Sequence, residues 1–213
     1  MGRLSTQLRE QRAYFLAFLI VWLVAFIPQL THTQQDIFLA INRHNSPLLD
    51  RLFFYLTWLG DGLTAFLLVI VLLLISYRQA ILAALMFIFT AILAQILKNL
   101  VFADHFRPMK TLAGSAGLHI PSGVEMLYNH SFPSGHTTTA FAMATFAVLV
   151  WRGRLWWLWL LLAVGVGYSR IYLTHHYPAD VLAGAMLGTV GGLLVFVLAD
   201  MHLPAALDKK KLL

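Results

Sequence analysis

Residues 129 to 141 read Asn-His-Ser-Phe-Pro-Ser-Gly-His-Thr-Thr-Thr-Ala-Phe, a polar stretch opening an apolar run. Pro133 breaks any preceding helix, Ser134 is a preferred N-cap, and Gly135 lets a ligand approach the backbone. Unpaired amides at such a helix start, with the helix dipole, form an anion site. His136 falls in the first turn, facing the bound anion. Taken as four residues, Pro-Ser-Gly-His reads equally well as a plain capped helix start. A second cluster runs from Ser169 to Asp180, with Arg170 at the end of one apolar run and Pro178 opening the next. His176 and Asp180 are four apart across that start. At this spacing a carboxylate can hold one imidazole nitrogen protonated and leave the other free to attack. Asp180 alone is also an ordinary first-turn residue that favours the dipole. The third cluster, residues 98 to 108, supplies Lys98 and Arg107, and either could simply reach toward lipid headgroups. Together these types suit anion capture by three cations, with two imidazoles for nucleophilic and acid–base work.

The elements that must position them are set by an unusual solvent. Of the 213 residues 60% are hydrophobic and 11% charged, and the mean hydropathy is +0.75. A water-soluble domain of this size does not have that composition, so the chain is expected to be an integral membrane protein. The net charge of +6 comes without a basic stripe interleaved with aromatics, which argues against nucleic acid. Basic residues sit mostly at the edges of apolar runs, where membrane lipids are the expected partner. No cysteine is present, which rules out disulfides and thiol chemistry.

A hydrocarbon core of roughly 30 Å takes about 20 apolar residues of helix. Six runs are predicted as transmembrane helices: 13–30, 61–77, 80–97, 136–151, 155–173 and 179–199. The fold class is all-α, in a single membrane-embedded domain covering 1–213. The first run is read as a retained helix because it lacks a small-x-small cleavage site. Segment 31–60 reads either as an amphipathic interfacial helix, with Phe38, Leu39 and Ile41 on its apolar side, or as a plain connector. Arg3, Arg9, Arg12, Arg78, Arg152, Arg154 and Lys209 to Lys211 all fall on one side of this layout. The positive-inside rule makes that side cytoplasmic, with both termini inside. Lys98, Arg107, His130, Ser134, His136, Arg170, His175, His176 and Asp180 then converge on the opposite face, toward the periplasm or exterior. Ionisable groups at membrane depth usually mark function.

Taken together, the three clusters resemble the type-2 phosphatidic acid phosphatase superfamily, which includes bacterial lipid phosphatases and is related to vanadium haloperoxidases. Its members carry a lysine followed at a distance by Arg-Pro, then Pro-Ser-Gly-His, then Ser-Arg with a histidine six positions after the arginine. Pro133-Ser134-Gly135-His136 and Ser169-Arg170 with His176 match fully. Eight residues separate Lys98 from Arg107 where six are usual, so Leu100 stands at the expected lysine position. The resemblance implies metal-independent phosphoryl transfer without a cofactor. His176, oriented by Asp180, attacks phosphorus to form a phosphohistidine. His136 protonates the departing oxygen and later activates water. Lys98, Arg107, Ser134, Gly135 and Arg170 bind the phosphate. A metal site recruiting His130, His136, His175, His176 and Asp180 would lack any known ligand spacing, so no metal is expected.

The expected substrate is a lipid phosphate in the inner membrane, with undecaprenyl pyrophosphate and phosphatidylglycerol phosphate foremost and phosphatidic acid or a lipid A phosphate also fitting. The alternatives are a lipid phosphotransferase and a non-catalytic anion-binding protein or transporter. Polar groups at helix ends, rather than at mid-membrane, favour the enzyme. No obligate protein partner is evident from the sequence.

Overall fold

The computed structural model describes residues 9–115, 117–151, 154–204 and 207, and the described residues hold helices and turns with no strand. The chain runs through α1 (Arg12–Phe26), α2 (Gln34–Asn42), α3 (Pro47–Leu56), α4 (Gly62–Ile75), α5 (Tyr77–Ile96), α6 (Pro108–Thr111), α7 (Gly135–Trp151), α8 (Trp156–Tyr172), α9 (Pro178–Met186) and α10 (Gly192–His202). A 3-10 turn, Thr57–Gly60, follows α3, and π turns follow α5 (Leu97–Val101) and α9 (Leu187–Gly191). Arg3, Arg152 and Lys209 to Lys211, on which the orientation argument partly rests, lie outside the described residues.

The predicted apolar runs become helices within a few residues of their expected ends. Among the described residues, three stretches are long and apolar enough to cross a membrane: Arg12–Leu30, Tyr77–Val101 and Pro178–Ala199. A fourth is added if α3 and α4, bent by 53° at their junction, form one broken span. The expected count of six is therefore met in part. α7 and α8 have 17 residues each. At about 1.5 Å per residue such a helix reaches roughly 26 Å, short of a hydrocarbon core of about 30 Å.

α7 is the central helix, with 11 of its 17 residues buried. Its alanines let neighbours approach: Ala142, Phe146 and Leu149 pack with α4, α5 and α10, while Ala140, Phe141, Ala144 and Val148 pack with α1, α8 and α9. α1 buries only Tyr14 and Phe18. It turns Leu16, Ile20 and Val24 outward at four-residue spacing, as a lipid-facing stripe does. α9 and the π turn after it press their glycines against the backbone of α7. A Cβ on Gly184 would stand 2.6 Å from the Ser134 carbonyl oxygen, and one on Gly188 would stand 2.3 Å from that of Thr138. Small residues four apart permit this backbone approach in membrane bundles.

Segment 31–60 carries the expected helix, but its apolar side is not the free face that the interfacial reading gave it. It forms two helices, and the side that carries Phe38 faces protein. Phe38 is fully buried with Leu112 and Ile171, and Leu39, Ile41 and Tyr177 pack around them. The physical reason is the chain at Leu112 and around His119, against which the segment packs. Asn42, 1% exposed, accepts from the His119 amide and donates to the His119 carbonyl, both at 2.8 Å.

Candidate active site

The antiparallel run of helices brings the N-termini of α4, α7 and α9 and the C-termini of α5 and α8 to one rim of the bundle. Ser134 caps α7, its hydroxyl accepting from the Thr137 amide at 3.4 Å and from the Thr137 hydroxyl at 2.8 Å. The Ser134 amide donates to the Asp180 carbonyl at 3.0 Å. This single backbone bond ties the start of α7 to the start of α9.

Asp180 occupies the N3 position of α9. One of its oxygens accepts from the Tyr177 amide at 2.9 Å and also from the Ser131 hydroxyl. The same oxygen lies 3.3 Å from His176 Nδ1. On the other side of the ring, Arg107 Nη1 lies 3.2 Å from His176 Nε2. A guanidinium can only donate, so Nε2 is the acceptor and the proton sits on Nδ1, facing the carboxylate. His176 is 1% exposed. Burial first, then the charges of Arg107, Arg170 and Lys98, hold its pKa well below the ordinary histidine value. The result is a neutral imidazole whose Nε2 lone pair faces the cations.

Arg107 also donates through Nε to the Asn129 carbonyl at 2.9 Å, through Nη1 to the His175 carbonyl at 3.0 Å and through Nη2 to the His130 carbonyl at 3.4 Å. Arg170, 4% exposed, donates from Nη1 to the Thr57 hydroxyl at 2.9 Å, and its buried Nε has no partner. Lys98 reaches the same place through the π turn. A two-residue offset on an unbroken helix would swing a side chain about 200° around the axis, and a π bulge alters that register. Lys98 Nζ comes within 3.9 Å of where a Cβ on Gly135 would stand, whereas Leu100 is 78% exposed. Lys98 therefore joins the cluster despite its shifted spacing, interacting electrostatically with Arg107, Arg170 and Asp180.

His136 lies in the first turn of α7 and lines a cavity of about 280 Å³ together with Thr57, Asp61, Glu125, Arg170 and His175. His175 donates from Nε2 to the Glu125 carbonyl at 2.8 Å, so its Nδ1 is unprotonated, buried and without a partner. Burial and Arg170 push its pKa down to about 3. His130 touches the cluster through its carbonyl. Every expected site residue thus converges on one rim: Lys98, Arg107, Ser134, Gly135, His136, Arg170, His176 and Asp180. Asp61, Thr57, Ser131 and Glu125 were not anticipated. Asp61-Gly62 is legible as a helix cap, but nothing in the sequence connects it with His136. Among the described residues, no three His, Asp or Glu side chains are grouped to hold a metal ion.

The PAP2 superfamily description matches residues 79–203. Over 118 residues the chain is 38% identical to the bacitracin transport permease protein BcrC of Bacillus licheniformis, covering 55% of this chain and 54% of that one. Over 115 residues it is 31% identical to the undecaprenyl-diphosphatase BcrC of Bacillus subtilis, covering 54% and 57%. The matches therefore span little more than half the length of these curated relatives. The crystal structure of Aquifex aeolicus LpxE superposes with a TM-score of 0.67 at 28% identity, covering 76% of this chain and 94% of that one. The matched region contains all three clusters from which the rim is built, and the chain belongs to the PAP2 superfamily.

Proposed function

We propose that this protein is a metal-independent lipid phosphatase that works through a phosphohistidine, and that its substrate is a polyprenyl pyrophosphate of the undecaprenyl type. The observation that carries the reading is the His176 arrangement: Nδ1 faces Asp180 at 3.3 Å while Nε2 faces the cation cluster. Phosphate entering between Lys98, Arg107 and Arg170 draws the Arg107 guanidinium onto its own oxygens and releases Nε2. The Nε2–phosphorus bond forms as the bond from phosphorus to the bridging oxygen breaks, and His136 gives its proton to that oxygen. A water then adds to phosphorus, the nitrogen–phosphorus bond breaks, and the water's proton goes to His136. Asp180 stabilises the charge that His176 acquires during the cycle. Three fixed cations and the amides at the start of α7 offset the oxyanion charge, which is most of what phosphoryl transfer requires.

The amphiphilic substrate is supported by an apolar cavity of about 250 Å³ near this rim, lined by Phe18, Trp22, Phe141, Tyr168, Val181 and Leu182. Val181 adjoins Asp180 in sequence, so hydrocarbon chains have apolar surroundings close to the phosphate site. The pyrophosphate preference is supported by the likeness to the undecaprenyl-diphosphatase of B. subtilis. We place the protein in the inner membrane as one six-span unit, with α3–α4, α7 and α8 completing the count and the rim facing outward.

The test is phosphate release by purified protein from undecaprenyl pyrophosphate, phosphatidylglycerol phosphate and phosphatidic acid, with EDTA present. Release should be insensitive to the chelator, lost in His176→Ala and nearly lost in His136→Ala. Release that needs an added divalent metal, or that survives His176→Ala, rejects the mechanism. A newly phosphorylated lipid without free phosphate would identify a transferase.

A further inference from the structure

We infer that Asp61 is the positioning residue for His136, so that the site holds two histidine–carboxylate pairs instead of one. This inference rests on the reading of His136 as the acid that protonates the leaving oxygen. Asp61 lies outside the region matched by the family description, on the turn joining α3 to α4. Its Oδ1 accepts from the Leu63 amide at 2.8 Å, capping α4. Its Oδ2 lies 3.5 Å from His136 Nε2, and both side chains are about one-third exposed on the wall of the same cavity.

The turn that carries Asp61 is built against the site at three points. Thr57 accepts from Arg170 at 2.9 Å. Gly60 lies so close to α7 that a Cβ there would stand 2.5 Å from the His136 carbonyl oxygen and 2.6 Å from Val166 Cγ1. Asp61, the next residue, faces the imidazole. The cap explains only half of this carboxylate. Asn or Ser would cap α4 equally well, and the oxygen turned toward His136 has no part in the cap.

The chemistry follows from which nitrogen is engaged. With Nε2–H turned toward Asp61, the other ring nitrogen, Nδ1, is the one that delivers the proton to the leaving oxygen and takes it back from water. The carboxylate favours the imidazolium before transfer and fixes the correct tautomer after it. An amide in its place can offer a donor to Nε2 and so favour the opposite tautomer. The cationic groups around His136 are Arg170, Lys98 and Arg107. They oppose the imidazolium, so a facing carboxylate has a definite task.

The experiment uses the full-length enzyme and compares kcat/KM for dioctanoyl phosphatidic acid, whose leaving alkoxide needs a proton, with that for para-nitrophenyl phosphate, whose leaving phenolate does not. Asp61→Asn keeps the cap. It should lower kcat/KM on the alkyl ester by on the order of tenfold or more, within the range that general acid catalysis supplies, with a several-fold smaller loss on the aryl ester. His136→Ala should show the same alkyl-over-aryl bias. Equal losses on both esters, or no loss, in Asp61→Asn while His136→Ala keeps its bias would overturn the role of Asp61 alone. Absence of the bias in His136→Ala would overturn the acid reading and this inference together.

Discussion

Gly184→Ala tests whether the close approach of α9 to α7 is what assembles the site. The added Cβ would lie 2.6 Å from the Ser134 carbonyl oxygen and 3.1 Å from Thr137 Cβ, where ordinary contact begins at 3.4 Å. The shortfall to the carbonyl is about 0.8 Å, and neither neighbour is the free end of a flexible chain. The helices must therefore separate by several tenths of an ångström at the point where Ser134 binds the Asp180 carbonyl. Overpacking of this kind costs about 1–3 kcal/mol. A misplacement approaching 1 Å between reacting groups costs on the order of 10²-fold in rate. The assay is phosphate release with a thermal melt of the same detergent-solubilised sample. The expected result is a kcat/KM lower by about ten- to a hundredfold, with a reduced Tm. Gly62→Ala is the control, because its Cβ would meet nothing within 4 Å, and it should leave both readouts unchanged. A Gly184→Ala enzyme with native rate and Tm would refute the claim that this contact sets the geometry.

Two further outcomes are expected of Lys98 and of the buried histidines. Lys98→Ala should reduce kcat/KM by about 10²-fold, the usual effect of removing one donor to a developing oxyanion, while Leu100→Ala, at a 78% exposed position, should leave it unchanged; the reverse pattern would return the lysine role to the usual spacing. His175 and His176 both titrate below the ordinary histidine value when folded, His175 at about 3. Below pH 6.5 the unfolded chain therefore binds more protons than the native one, so stability is fully present above that pH and lost as pH falls toward the folded values. Substrate-free Tm should decline from pH 7 to pH 5, and His175→Gln with His176→Gln should flatten that decline. A Tm that rises on acidification would contradict neutral burial of these rings.

Helix ends and the two full motifs were legible because local chemistry writes them. Pro133 and Ser134 announce the start of α7, Pro178 announces that of α9, and apolar length announces the rest. Arg107, Ser134, Gly135 and Arg170, which we propose bind phosphate, were equally readable, since each adjoins a helix terminus. Lys98 was harder, because a π turn leaves no compositional trace and alone decides that residue 98 rather than 100 faces the rim. Asp61 and Ser131 were invisible for a different reason. Each is an ordinary cap or loop residue whose importance comes from a partner 75 or 49 positions away, and only packing creates that proximity. The burial of Phe38 in segment 31–60 was not legible because a lipid interface and a buried loop ask for the same amphipathic pattern, and Phe38 satisfies either.

The two arginines are unequal once their hydrogens are counted. A guanidinium has five N–H vectors. Arg107 commits four of them to the carbonyls of Asn129, His130 and His175 and to His176, so it is mainly a strut that braces the loop of Asn129 and His130 against His176. Arg170 commits one, to Thr57, which on the proposed mechanism leaves the rest of its fork for incoming oxygens. Replacing Arg107 would thus slacken the scaffold as well as the charge, whereas replacing Arg170 would chiefly empty the cradle.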